Sequence, residues 1–212
     1  MQVTIGLMMG PRSYEDPCGI ARALDVVGER WALLIVRELL FGAKRFSDLR
    51  AGLGASPNVL SQRLAELEAS GVVQRRSAGG ALYELTDWGR ELRPILLQLG
   101  SWGARSSRRP TGELSVDALL AALEATFAPD REPMLHARYD LGLGDERFYV
   151  EVCRGNIAIA RGRPSRPDAV IDTDPVTLRA LVFGDRKLAG APVEVRGNAH
   201  LARSFFRLFA RP

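Results

Sequence analysis

SPNVLSQRLAELEASGVVQRRSAGGALYELT, residues 56–86, decides how the first half of this chain folds. The hydroxyl of Ser56 can answer an amide left free at a helix start, and Pro57 follows in the first-turn position where a missing N–H costs nothing. The spacing predicts a helix with Leu60, Leu64 and Leu67 on one buried stripe. At about 100° per residue, Asn58, Ser61, Gln62 and Ala65 gather on the opposite side. Gly71 ends this helix. Val72 to Arg76 and Ala81 to Leu85 then read as two strands joined by Ser77-Ala78-Gly79-Gly80, a hairpin.

Working outward from this stretch, Ile20, Leu24 and Val27 recur at helical spacing. Trp31, Leu34, Ile35 and Leu39 repeat the pattern after Gly28, and Phe46, Leu49 and Leu53 mark a third helix. After the hairpin, Thr86 caps a longer helix with Leu92, Ile95, Leu96, Leu99 and Trp102 on one face, kinked at Pro94. The stretch GARSSRRPTG, Gly103 to Gly112, is polar, basic and rich in turn formers, which is the composition of an exposed linker. The chain therefore divides into a domain over 1–106 and another over 107–212, with the linker at about 103–114. In the second, Ser115 caps a helix carrying Val116, Leu119, Leu120, Leu123 and Phe127. Strands follow at Met134 to Leu141, Arg147 to Cys153, Asn156 to Arg161 and Ala169 to Thr173. A helix from Asp174-Pro175, a strand at Val193 to Arg196 and a closing helix complete an α+β half, whose short turns favour an antiparallel sheet.

The face opposite the leucines of the 56–69 helix is thin, polar and uncharged. Such a face suits the major groove: small side chains admit the helix, and Asn58 or Gln62 can offer a donor and an acceptor together to adenine. The alternative is an ordinary solvated face, although those usually carry Lys and Glu. Lys44, Arg45, Arg50, Arg63, Arg75 and Arg76 surround the stretch, against Asp48, Glu66 and Glu68. All but Arg50, which reads as a plain surface charge, are candidate phosphate contacts. Ser47, near a helix start, could add a hydroxyl and an amide. Lys44, Arg45, Ser47, Ser56, Asn58, Ser61, Gln62, Arg63, Arg75 and Arg76 thus form the expected DNA-binding set.

Cys18 through Trp102 resembles the HxlR-type winged helix-turn-helix regulators. The resemblance rests on Cys18, on GERWALLIVRELLFGAKRFSDL from Gly28 to Leu49, on SPNVLSQRLAELEASGVV from Ser56 to Val73, and on YELTDWGREL from Tyr83 to Leu92, with Trp102 and Gly103 closing the helix. The wing turn SAGG is shorter than usual and lacks the proline-rich segment before its second strand, which weakens the expectation that the wing enters the minor groove. The resemblance implies a repressor or activator acting as a homodimer in the cytoplasm, with Ile20 and Leu24 of the first helix and Leu92, Leu96, Leu99 and Trp102 of the long helix at the seam. An apolar stripe of that kind could instead pack on the second domain. In a dimer the half-sites should lie about 34 Å apart on a near-palindrome. The resemblance also makes Cys18 a redox candidate. A cysteine near a helix start can have a lowered pKa, helped by Arg22, whereas burial at a seam would make it inert.

Thr177 to Phe209 is similar to the end of sterol-carrier-type lipid-binding domains, which implies an apolar cavity and a sensor for a small apolar ligand. Phe148, Val150 and Val152 alternate onto one sheet face, and Phe205, Leu208 and Phe209 could cover it, either as a ligand pocket or as filled core. A function from another class also follows from this half: a hydrophobic-ligand carrier whose winged helix serves only for dimerisation or protein docking.

Composition narrows the field. Of the 29 Lys/Arg and 25 Asp/Glu, residues 1–110 hold 15 and 11 and the remainder 14 and 14, so the net charge of +4 sits in the first half. Cys18 and Cys153 show neither disulfide nor zinc spacing, and no cofactor is expected. His136 and His200 lack metal-ligand neighbours in sequence, Gly142-Leu143-Gly144 lacks a third glycine, and no serine sits in a G-x-S-x-G setting, so no metal site and no enzyme are expected. No apolar run approaches the roughly 18 residues of a membrane span, and Val3 to Met9 reads as a frayed start, with no membrane partner expected.

Overall fold

The computed structural model describes residues 13–77, 80–107 and 112–211. Val3 to Met9, the tip of the hairpin turn at Ala78-Gly79 and residues 108–111 of the expected linker lie outside them. The first half runs α1 (Gly19–Val27), α2 (Ala32–Leu39), β1 (Lys44–Arg45), α3 (Phe46–Leu53), α4 (Pro57–Ala69), β2 (Val73–Ser77), β3 (Ala81–Leu85), α5 (Asp87–Arg90) and α6 (Leu92–Ala104). The second half runs α7 (Val116–Thr126), a short 3-10 turn (Pro129–Arg131), β4 (Ala137–Leu143), β5 (Glu146–Cys153), β6 (Asn156–Arg161), β7 (Ala169–Thr173), α8 (Pro175–Val182), β8 (Glu194–Gly197) and α9 (Ala199–Phe205). No described helix is long and apolar enough to cross a membrane.

Capping places the helix starts where the sequence expects them. Ser56 Oγ accepts from the Val59 amide at 3.5 Å, Thr86 Oγ1 from Gly89 at 3.0 Å, and Ser115 Oγ from Ala118 at 3.1 Å. α3 and α4 meet through a three-residue turn in which Gly54 has φ +65°, a conformation glycine adopts without strain, and Ala55 is buried.

Three elements differ from expectation. The first sheet has three strands in the order β1-β3-β2, because Lys44 and Arg45 pair with Tyr83 and Leu82, and two residues are too few to show alternation. The long helix is interrupted at Glu91. Pro94 has no N–H for the Arg90 carbonyl and its ring crowds that group, yet Glu91 keeps φ −64° and ψ −16°, so the hydrogen-bond ladder breaks without leaving helical dihedrals. α6 also runs through Gly103 and Ala104, into the expected linker. Finally, the second sheet, ordered β6-β5-β4-β7-β8, is mixed rather than wholly antiparallel. Tight turns make β4, β5 and β6 antiparallel, but residues 162–168 carry the chain past two strands to lay β7 parallel to β4, from Tyr139↔Ala169 to Leu143↔Thr173.

Two apolar cores result. The first joins Ile35, Leu39, Leu49, Leu60, Leu64, Leu67, Val73 and Leu85. The second lies between the inner sheet face and α7, α8 and α9, and Phe41 from the loop after α2 inserts into it. Here the expected ligand pocket requires correction. Phe148, Val150, Val152, Phe205, Leu208 and Phe209 are all fully buried, and Phe205 sets its ring edge-on to Tyr139 at 5.1 Å and Phe209 at 5.3 Å. These six side chains fill one another's space as packed core.

Candidate nucleic-acid interface and its support

The leucines of α4 seal it onto the first core, with Leu60 and Leu67 at 0% exposure. Their burial fixes the rotation of the helix, so Ser56, Asn58, Ser61, Gln62 and Ala65 face outward. Gln62 Nε2 donates to Glu66 Oε1 at 3.1 Å, an exposed contact.

The cations around this ridge separate into two groups. Arg45, Arg50, Arg75 and Arg76 are exposed. Arg45 and Arg76 both stand opposite Leu82 in register, hence on the same sheet face, whereas Arg75 stands opposite Tyr83 and points the other way. Arg76 is shared with Glu84 at 3.2 Å. Arg63 and Lys44 are corrections to the expected phosphate set. Arg63 has only 12% of its side chain exposed and is held by Glu66 and, at 3.8 Å, by Glu29. Lys44 turns inward, with its ammonium 2.8 Å from Glu38 Oε2 and also on Asp117. Ser47 is exposed, but its hydroxyl donates to Asp48 Oδ1 at 3.0 Å, and Asp48 Oδ2 accepts from the Arg45 amide at 3.2 Å. The first-turn position of α3 is thus already held by a carboxylate.

Lys44 belongs to a buried charged cluster that the sequence reading missed. Glu38 is completely buried on α2 and accepts from Arg37, Lys44 and Ser115 Oγ, the last at 2.5 Å. Asp117 on α7 accepts from Lys44 and, through both carboxylate oxygens, from Arg161 Nη2 at 2.9 Å. Gly52 makes room for the cluster, since a Cβ there would lie 2.6 Å from Glu38 Oε2. Burial pushes the Glu38 carboxyl up, but hydrogen bonds from Lys44 and Ser115 and the charges of Lys44 and Arg37 outweigh it and hold the pKa below the ordinary value. For Asp117 burial wins: Lys44 and Arg161 offset it only in part, Glu38 repels, and the pKa rises. One signal was available in the sequence. Glu38 falls three residues after Ile35, on the buried stripe of a helix whose other members apart from Arg37 are apolar.

α6 faces two ways. Toward α7, Ser101 Oγ donates to the Ala125 carbonyl at 2.8 Å and Gly100 lies against the Ala125 methyl. Away from it, Ile95 and Trp102 are exposed, Trp102 at 68%, Leu99 is exposed between the two sides, and on α1 Ile20 and Leu24 are exposed, Ile20 at 73%. Leu92 and Leu96 are half-buried against the first core. The second half therefore leaves Ile95 and Trp102 of the stripe uncovered, while Leu96 and Leu99 border it. Cys18 is exposed at the start of α1, where the amides of Ile20 and Ala21 hold its thiol below the ordinary value; Arg22, expected to help, is not among the causes.

The HxlR-like helix-turn-helix family model matches residues 26–110. The chain is also 44% identical over 86 residues to the HTH-type transcriptional regulator YvaP of Bacillus subtilis, a match covering 38% of this chain and 80% of YvaP. This chain belongs to the HxlR family. Another relative of this HxlR-type protein, the HTH-type transcriptional regulator Rv3095 of Mycobacterium tuberculosis, is 40% identical over 97 residues, covering 44% of this chain and 61% of Rv3095. Among solved structures, the redox regulator HypR in its oxidized form is 33% identical, and the match covers 43% of this chain and 100% of HypR at a TM-score of 0.41. The HxlR-type protein described here is a DNA-binding transcriptional regulator.

Proposed function

We propose that this HxlR-type regulator binds duplex DNA as a homodimer, with α4 of each copy in a major groove. Asn58 and Gln62 then read base edges, Ser56 and Ser61 lie along the same ridge, and Arg45, Arg75 and Arg76 hold phosphates on either side of the sheet. The dimer seam is built from the exposed apolar residues of α1 and α6, Ile20, Leu24, Ile95, Leu99 and Trp102. The chain divides into a DNA-binding domain over 1–106 and a sterol-carrier-like sensing domain over 107–212, which answers a small apolar effector and acts on DNA affinity. The observation that carries this reading is the outer ridge of α4, where Ser56, Asn58, Ser61 and Gln62 stand exposed beside Glu66, bordered by exposed arginines and turned away from the first core.

Selection of bound fragments from random duplex DNA tests it. An enriched near-palindrome with half-sites about 34 Å apart is expected, with an affinity that falls steeply as salt rises. Recovery of unrelated fragments, or of a single unrepeated half-site, would count against the dimer and the assignment of α4.

A further inference from the structure

α7 has the sequence VDALLAALEAT, and its two faces differ in size. Leu119, Leu120 and Leu123 enter the second core, while Ala118, Ala121, Ala122 and Ala125 turn toward α2 and α6. Opposite these methyl groups stand Leu34, Leu96, Leu99 and Phe183, and between them is a cavity of about 510 Å³. That volume is in the range of small-molecule sites, and the lining is almost wholly apolar. Its charged members are both cations, Arg37 and Arg179. Arg37 bonds Glu38 through Nη2 at 2.8 Å, and part of its side chain, 23%, stays exposed. Arg179 is exposed, and its contact with the Gly112 carbonyl is long, at 3.4 Å. An apolar space whose lining includes two guanidinium side chains and no carboxylate calls for an apolar body bearing one negative charge.

We propose that this cavity at the junction of the two halves is the effector site, and that its ligand is an apolar monoanion, a carboxylate or sulfonate on a hydrocarbon or aromatic body. The proposal rests on the effector-gated reading above and moves the site from the packed second core to the space between α2, α6 and α7. Leu99 supplies the coupling. It lines the cavity and is also exposed on the outward stripe of α6, so an occupant displaces a residue that a second copy of the chain would touch.

The test uses the full chain and two probes, 8-anilinonaphthalene-1-sulfonate followed by fluorescence and decanoate as its competitor. Saturable binding of the dye and its displacement by decanoate are expected, with Ala122→Trp, which fills the cavity, abolishing both. Arg179→Ala, at an exposed position that need not disturb folding, should weaken decanoate about tenfold and leave decanol unchanged. Undiminished binding in both variants, or no binding by the parent chain, overturns the site whatever the protein does on DNA. DNA affinity is measured separately with and without decanoate. Decanoate held in the cavity without any change in DNA affinity overturns the effector role and leaves DNA binding by α4 standing. A change of sedimentation in Ala122→Trp with no loss of dye binding would assign the cavity to a second copy of the chain, and overturn the proposal.

Discussion

Arg93 of α6 meets Glu124 of α7 side by side, with Nε 2.9 Å from Oε1 and Nη2 2.7 Å from Oε2. Both side chains are largely covered, at 29% and 11% exposure, and the guanidinium also stacks on the Phe41 ring at 5.0 Å. This paired geometry fixes the rotation of α6 about its axis, and with it the direction in which Ile95 and Trp102 point. Chemical denaturation of Arg93→Ala, Glu124→Ala and the double variant should give a coupling energy of about 1–2 kcal/mol. Additive losses would mean that the pair does not set the helix.

Lys44 separates structure from DNA contact. Lys44→Met leaves Glu38 and Asp117 buried without their shared ammonium, so urea denaturation should show a loss of about 3–5 kcal/mol. The slope of DNA affinity against salt should hardly move. A reduced slope with unchanged stability would return Lys44 to the phosphate set.

Acid should act through Glu38. Its folded-state pKa lies below the ordinary 4.5, so its ionised form contributes stability that is complete above 4.5 and disappears as pH falls toward the lowered folded value. Glu38→Gln lacks that contribution at every pH. The stability gap between parent and variant, from denaturation at a series of pH values, should therefore narrow below pH 4.5 and be constant above it. A gap that widened in acid would reverse the sign of the shift.

On DNA, the exposed cations and the ridge should behave differently. Arg45→Ala and Arg76→Ala should each weaken binding to all sequences and lower the salt slope by about 1. Asn58→Ala or Gln62→Ala should leave the slope alone and relax preference at a few bases, each worth about 1–3 kcal/mol. Titrations at several salt concentrations on matched and scrambled sites distinguish the two patterns.

The outward stripe predicts an assembly defect. Trp102→Glu puts a charge on an exposed apolar position of α6, so the fold should survive, with a melting temperature near that of the parent. Sedimentation should shift toward monomer and affinity for a two-half-site duplex should fall. An unchanged sedimentation profile would place the seam elsewhere.

Most of the first half was legible because its signals are local. Ser56, Pro57 and the Leu60-Leu64-Leu67 stripe specify both the start and the rotation of α4 without reference to anything distant. The Pro94 interruption was visible as a kink. What could not be read depends on contacts between remote residues. Lys44 and Asp117 are 73 positions apart, and nothing near Lys44 announces that its ammonium turns inward. The parallel pairing of β4 with β7 likewise follows from the path of residues 162–168, not from strand composition. Phe148 and Phe205 have the same pattern whether they line a void or fill it, and only packing distinguishes the two. Glu38 was a buried charge whose position in the helical repeat could have revealed it.

The fully enclosed carboxylate on α2 has a consequence for how this chain can be divided. One of the side chains that make its enclosure tolerable, Ser115, arrives from beyond residue 107, and so do Asp117 and Arg161, which hold the far side of Lys44 and of Asp117 in turn. A fragment stopping there would retain the whole helix-turn-helix yet hold an acid and an ammonium whose outer neighbours had been cut away. The shorter piece should then be the less sturdy reader of DNA, and the later half serves as a keystone for the earlier one as well as an appendage to it.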